Sequence, residues 1–409
     1  EMERQAIEVF KAHELFKANQ EQLPPQPPSN QEDQLQQHSV DTEETKTPFS
    51  LLSHSNKRSA VTTNDTLFDV FGFTAFRDGQ DEVIQAALRG VDTAVFWATG
   101  LGKSICYQIP ALHSGRPVFV ISPLISLMQD QCTKLNSICG KRVATFLGSA
   151  QNDYDAEGRA MRGEHLLVYL TPEKATQDGF LDSLARLHHA SGISLIAVDE
   201  AHCLSEWGHD FRPSYRHLGR IRAHAGLKGV PLMALTATAV PRVQKDIIVQ
   251  MGLQNAQIAT SSFDRTNLQI SIKRKPSGGP RVALHDIIEK LRANSADNST
   301  IIYCPTKNAV DEITALLLAS LHGVCKVAAY HAGLSQADRE DGHNGFLTGQ
   351  IAIIVATVAF GMGIDKPDTR RVIHWGSPKT VEEYYQQIGR AGRDGLPAEC
   401  TMFADMHDF

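Results

Sequence analysis

The sequence predicts an α/β protein of two successive units, each a mostly parallel sheet with helices on both faces. Three observations predict it. Short apolar, β-favouring runs alternate with helix-like segments twice along the chain, with one pause near residue 262. One such run, Ala94–Trp97, breaks into Thr99-Gly100-Leu101-Gly102-Lys103-Ser104. Another, Leu195–Val198, ends on Asp199-Glu200-Ala201-His202. Carboxylates at the C-terminal end of a strand lie where open α/β sheets bind ligands.

The bulk numbers agree with this class. A length of 409 residues suits two or three domains, and 42% hydrophobic with 21% charged residues fits a folded chain. No apolar run nears the roughly 18 residues needed to cross a bilayer, so no membrane partner is expected, and Glu1-Met2-Glu3-Arg4 is no signal peptide. The initial Glu suggests an excised piece of a longer protein. Seven dispersed cysteines (106, 132, 139, 203, 304, 325, 400) suggest reduced thiols in an intracellular protein. Their spacing assembles no zinc site, and none is expected within the chain. Net charge is −6; residues 1–66 hold 11 acidic and 6 basic side chains, leaving 35 against 34 in the rest. A near-neutral body neither supports nor excludes a nucleic-acid partner, because phosphate contacts need only local charge.

Residues 1–66 read as a mostly disordered extension. Glu3–Ala18 has the spacing of a short amphipathic helix, and Gln20–Ser39 is rich in Gln and Pro. Such a stretch cannot bury enough apolar surface to offset its ordering entropy. Residues 67–262 form the first unit, with strands expected at Ala94–Trp97, Val118–Ile121, Leu166–Leu170, Leu195–Val198 and Leu232–Leu235. Lys273–Pro280 reads as a turn or linker. Residues 263–409 form the second unit, with strands at Thr300–Tyr303, Val327–Tyr330, Ile351–Val355, Val372–His374 and Glu399–Phe403.

The stretch Thr99–Ser104 has the layout of a phosphate-binding loop. Gly100 and Gly102 let backbone N–H groups approach phosphates, and the helix opening at Ser104 adds a partial positive charge. Lys103 would reach the β- and γ-phosphates, and the Ser104 hydroxyl would hold Mg²⁺. The strict pattern needs Gly at position 97, where Trp stands. Read alone, the stretch is also compatible with an ordinary strand-to-helix turn carrying a surface lysine. Asp199 suits a Mg²⁺-holding carboxylate and Glu200 the residue that orients and polarises an attacking water. A lone Asp-Glu pair would otherwise be a solvated acidic turn. The two motifs together point to nucleoside triphosphate hydrolysis.

With Ala201-His202-Cys203-Leu204-Ser205-Glu206-Trp207-Gly208-His209-Asp210-Phe211-Arg212-Pro213 added, residues 67–409 resemble the two-domain motor core of a superfamily 2 helicase, specifically a RecQ-type DNA helicase. The resemblance implies two tandem RecA-like domains. It also implies that the aromatic-rich loop senses single-stranded DNA and couples it to ATP hydrolysis. Trp207 and Phe211 offer faces on which bases stack, each worth about 1–3 kcal/mol, while His209 and Arg212 can meet phosphates. Without the resemblance, two such aromatics are more often core residues.

Other segments follow the family's order. Phe71–Gln80 resembles its adenine-recognising element, with Gln80 pairing the adenine edge, Phe73 covering the ring and Arg77 supporting the pocket. The resemblance assigns Ser122 and Thr171 to strand tracking, Thr236 and Thr238 to coupling, and His331 and Thr357 to the DNA path. Gly363 and Asp365 would face the nucleotide. Arg390 and Arg393 lie three apart among glycines, and the resemblance makes them arginine fingers. Four positions depart from the common pattern: Trp97 and Ala98, Thr266 for a Pro, and Gln387 for a Glu. The expected activity is an ATP- and Mg²⁺-dependent 3′-to-5′ DNA helicase acting on single-stranded and forked DNA, in repair, recombination or replication. Protein partners would bind the extension, and the location would be the nucleus. Alternatives are a translocase or RNA helicase that does not unwind DNA, and a non-catalytic nucleic-acid scaffold.

Overall fold

A computed structural model describes residues 61–208, 210–261, 264–293, 299–361 and 366–408. Strands β1 (Thr93–Phe96), β2 (Val118–Ile121), β3 (Ala144–Leu147), β4 (Leu167–Leu170), β5 (Leu195–Val198), β6 (Leu232–Thr236) and β7 (Gln257–Thr260) form one sheet. Its order is β3-β4-β2-β5-β6-β1-β7. The second sheet holds β8 (Leu268–Arg274), β9 (Thr300–Tyr303), β10 (Val327–Tyr330), β11 (Ile353–Ala356), β12 (Arg371–Trp375) and β13 (Ala398–Ala404), in the order β10-β11-β9-β12-β13-β8. Every described strand pairing is parallel. The expectation of parallel sheets with helical crossovers holds in both units.

Strand alternation builds the core on both faces of each sheet. Ala94 and Phe96 of β1 enter one apolar layer with Phe119, Ile196 and Val198, while Val95 and Trp97 enter the other with Tyr107, Val120 and Ala197. In the second sheet Ile301 and Tyr303 face one layer and Ile302 and Cys304 the other. Trp97 is therefore a core residue: a methyl placed on Gly79 would come within 3.1 Å of its ring. The loop that follows β1 thus rests on a rigid apolar floor.

Polar bolts hold the strand ends. Asp92 is buried, and its carboxylate accepts from the Leu232 and Gln254 N–H groups and from Arg222 Nη2 at 2.5 Å. It ties the segments entering β1, β6 and β7 together at the end of the sheet away from the phosphate loop.

The structure departs from expectation at the edges. β3, β7 and β8 were not expected, and β8 runs through Lys273 and Arg274, where a linker was read. Among the described residues β8 pairs only with β13, and Ile270 and Ile272 on it are exposed. Helix Thr63–Phe71 crosses the boundary expected at 66/67, opening on a capping box between Thr62 and Asp65 and burying Thr63, Thr66 and Leu67. The unit boundary at 262/263, the helix over Glu3–Ala18 and the Gln/Pro-rich stretch lie outside the described residues.

Candidate active site and nucleic-acid interface

Parallel strands deliver their following loops to one edge of each sheet, and the predicted site residues sit on those loops. β1 leads to Thr99–Ser104, β2 to Ser122, β4 to Thr171, β5 to Asp199 and Glu200, and β6 to Thr236 and Thr238. From the second sheet, β10 leads to His331 and β11 to Thr357. Gly100 and Gly102 have φ of +90° and +75°, the left-handed region that a side chain would strain. Lys103 folds back over the loop and donates to the Trp97 carbonyl at 3.0 Å and the Ala98 carbonyl at 3.3 Å. Burial pushes its pKa down, while the negative charges of Glu200 and Asp199 hold it up.

The adenine-type element braces this loop. Gln80 donates to the carbonyls of Leu101 (3.3 Å) and Gly102 (3.1 Å) and accepts from the Arg77 N–H, and Arg77 Nη1 donates to the Gly100 carbonyl. A methyl on Gly102 would approach Gln80 Nε2 within 2.6 Å. Phe73, stacked on Phe71 at 6.4 Å, stays exposed.

The acidic pair sits beneath the lysine. Burial, and then the neighbouring Glu200, push the Asp199 carboxyl well above the usual carboxylate range, with Lys103 opposing. Glu200 adopts φ +50°, unusual for a residue with a side chain. Its Oε2 lies 3.3 Å from His202 Nδ1, which is 2.8 Å from Thr236 Oγ1. The catalytic-type carboxylate and the coupling segment therefore meet on one fully buried histidine.

From His202 the chain runs into the aromatic loop. Gly208 packs on the His202 carbonyl so closely that any Cβ would overlap it. Arg212 donates to Asp210 Oδ2 and, through Nη1 at 3.0 Å, to the Pro123 carbonyl beside Ser122. Phe211 is half-buried with Arg216 over its ring, whereas Trp207 is 59% exposed. The fold also gathers His202, Cys203 and Asp210 with donor atoms within 4.8 Å of one another, a set that spacing alone did not reveal. Burial and Asp210 push the Cys203 thiol pKa up, which favours the protonated form.

The remaining predicted residues are placed as follows. Ser122 is buried, and Thr171 caps the helix Pro172–Ala175 by accepting from the Lys174 N–H at 3.3 Å. Thr238 is half-buried and donates its N–H to Thr236 Oγ1. His331 Nε2 is 3.1 Å from Asp311 Oδ1, and its Nδ1 accepts from the Gly333 N–H. Thr357 Oγ1 accepts from the Ala359 N–H at the exposed tip after β11. His209, Gly363 and Asp365 lie outside the described residues.

The two arginines separate. A methyl on Gly100 would lie 3.4 Å from Arg393 Cγ, so Arg393 stands on the phosphate loop. Arg390 is 3% exposed and packs toward Tyr303 and Gly361. Sequence reasoning missed Arg265, which donates to the Thr99 carbonyl (2.8 Å) from one nitrogen and to the carbonyls of Ala391 (2.9 Å) and Gly392 (2.7 Å) from another. One guanidinium thus joins the phosphate loop to the turn that carries Arg393. His343 Nε2, 3.4 Å from Asp130, makes a second bridge between the units.

Beside that turn, His374 is buried in β12 and donates from Nε2 to Gln387 Oε1 at 2.7 Å, while Gln387 Nε2 donates to Glu383. Burial holds His374 down to about 4, against 6.5 for a free histidine. A depressed histidine contributes stability above the unfolded value and loses it as pH falls toward the folded one. Between pH 7 and 5 this group costs the fold about 2 kcal/mol. Gln387→Glu, which offers the imidazolium a carboxylate, flattens that loss. Denaturant unfolding of both proteins at pH 7 and 5 checks this, and equal losses would count against it.

Among the described residues no helix is long and apolar enough to cross a membrane. Residues 77–247 match the DEAD/DEAH box helicase family and residues 282–395 the helicase conserved C-terminal domain. The ATP-dependent helicase wrn-1 of Caenorhabditis elegans is 45% identical over 83% of this chain and 32% of its own length. The ATP-dependent DNA helicase RecQ of Haemophilus influenzae is 42% identical over 84% of the chain and 53% of its own. The chain thus spans about a third to a half of these relatives' length. Among solved structures, the DUF1998 helicase MrfA bound to DNA superposes with a TM-score of 0.68 at 17% identity, covering 86% of this chain and 52% of that one. The Saccharomyces cerevisiae Dbp5 bound to RNA and ADP BeF3 gives 0.65 at 17% identity, covering 85% and 88%. With these matches and two parallel-sheet units of the tandem RecA-like kind, the chain belongs to the RecQ-type superfamily 2 helicases.

Proposed function

We propose that this chain is the motor core of an ATP-dependent DNA helicase that couples hydrolysis to 3′-to-5′ movement along single-stranded DNA and to separation of forked duplexes. The observation that carries the reading is the convergence of Lys103 and of Arg393, from the other unit, on the loop Thr99–Ser104. The donor set fits Mg²⁺·ATP: bare glycine backbone, a lysine, and a half-buried acidic pair whose mutual repulsion a cation relieves. Mg²⁺ held by Ser104 and Asp199 would neutralise charge on the β- and γ-phosphates.

The chain's own residues do the rest. Lys103 leaves its carbonyl partners for phosphate oxygens. Glu200 orients the attacking water and takes its proton, held in place through His202. Arg393 stabilises charge on the transferred phosphoryl group as the units close. Trp207, Phe211 and Arg212 take bases and phosphates of one strand, with Ser122, Thr171, His331 and Thr357 along the same path. The name of the Haemophilus influenzae relative, a DNA helicase, supports DNA as the strand; a role in repair, recombination or replication and a nuclear location belong to the same proposal. The Gln/Pro-rich extension suits protein partners.

The test is ATP turnover with and without single-stranded DNA. Turnover rises with DNA and falls about 10²–10³-fold in Lys103→Ala, the scale of losing one charge-stabilising donor. Stimulation by RNA but not DNA would select the RNA-helicase reading, and no turnover with strand binding intact would select the scaffold.

A further inference from the structure

We propose that Arg242 is a positioning residue of the nucleic-acid path, whose guanidinium backs one face of Trp207 and leaves the opposite face set for an unpaired base. The inference rests on reading the aromatic loop as the strand interface. Arg242 opens the helix Pro241–Met251, immediately after the Thr236–Val240 segment. Its guanidinium carbon stands 3.2 Å from the centroid of the Trp207 ring, within the range of a cation on an aromatic face.

An indole has two faces. Arg242 covers one, yet Trp207 remains 59% exposed, so the other is open to solvent. An exposed tryptophan in a loop would otherwise sample several rotamers and lose that freedom on each binding event. A cation fixed on one face removes the cost beforehand, which is preorganisation. A base on the free face completes a guanidinium–indole–base stack.

The neighbouring aromatic is held in the same manner. Arg216 lies over Phe211 at 5.8 Å while bonded to Glu206 at 2.6 Å. Phe211, however, is half-buried, so Trp207 is the ring whose free face can be reached. The backbone beneath is fixed too: the Trp207 N–H donates to Ser205 Oγ at 3.2 Å, and Gly208 packs on His202.

The experiment measures DNA-stimulated ATP turnover against the concentration of single-stranded DNA for the full chain and its variants. In Arg242→Ala the half-activating concentration rises about fivefold, the size of one cation–π contact, with turnover recovering at saturating strand. Arg242→Lys recovers part of the shift, because an ammonium also sits on an indole face. The double variant Trp207→Ala, Arg242→Ala needs no more DNA than Trp207→Ala alone, since the contact is already lost. An abasic strand, which offers nothing to stack, activates wild type and Arg242→Ala at equal concentrations.

A lower half-activating concentration in Arg242→Ala would mean that the arginine caps the ring against DNA, and would overturn the proposal. Additive losses in the double variant would overturn it as well. If Trp207→Ala itself leaves activation intact, the loop is not the interface, and the reading beneath the proposal falls with it. If Trp207→Ala needs more DNA than wild type but Arg242→Ala matches wild type, only the proposal falls.

Discussion

Arg393→Ala lowers ATP turnover by about 10³-fold or more while nucleotide binding persists, the effect of removing an arginine finger. The expectation rests on where the side chain stands: its Cγ is 3.4 Å, and its backbone Cα 3.7 Å, from the site a Gly100 methyl would fill. The guanidinium can therefore meet a phosphoryl group held by the loop. Arg393→Lys does not rescue, because a compact ammonium on a flexible stem lacks the planar fork that meets two oxygens together. Arg390→Ala behaves differently. That side chain is buried against Tyr303, and truncating it leaves a void and unpaired polar groups in the second unit's core. Its first consequence is a lower melting temperature, with loss of turnover following from it. Steady-state turnover, binding of a non-hydrolysable analogue and thermal unfolding, measured on all three variants, separate the two roles. Turnover within tenfold of wild type in Arg393→Ala would remove it from the reaction.

The parts legible in the sequence were those whose meaning is local. β1, β2, β5 and β9 are buried central strands whose apolar runs end where turn residues begin, and their limits fell within a residue of expectation. β3 and β7 are short edge strands, and β8 alternates polar and apolar side chains with most of its surface exposed. Nothing in such a run distinguishes it from a linker until a partner strand is known. The site divides in the same way. Gly100, Gly102, Lys103 and Ser104 declare themselves because one loop needs them at one spacing, and Asp199-Glu200 because they end a strand. Arg265 carries no such mark. Its bonds reach 166 residues back to Thr99 and 126 residues forward to Ala391, so its role exists only in the folded chain. The same holds for Arg242 over Trp207 and for the meeting of Thr236 with His202, where each residue is ordinary in its own segment.

Thr236→Val separates hydrolysis from its stimulation by DNA. The hydroxyl of Thr236 is 2.8 Å from His202 Nδ1, and the same ring nitrogen is 3.3 Å from Glu200 Oε2. Valine keeps the β-branched shape that β6 buries, so the strand and its packing persist while one polar contact disappears. With the hydroxyl gone, His202 is no longer tied to β6, and strand binding at the aromatic loop no longer improves the position from which Glu200 would orient water. Losing a buried hydrogen bond of this kind is worth about 1–3 kcal/mol. That range converts to a drop of about five- to 150-fold in DNA-stimulated turnover. The fall should be confined to the stimulated rate, because the Thr236 hydroxyl lies between the aromatic loop's anchor at His202 and the segment leading into helix Pro241–Met251. Single-stranded DNA binds the variant as it binds wild type, and Thr236→Ser, which restores the hydroxyl, restores the stimulation. An equal loss of basal and stimulated turnover would make Thr236 a support for Glu200 alone. Loss of DNA binding would place Thr236 on the strand itself rather than between the strand and the carboxylate.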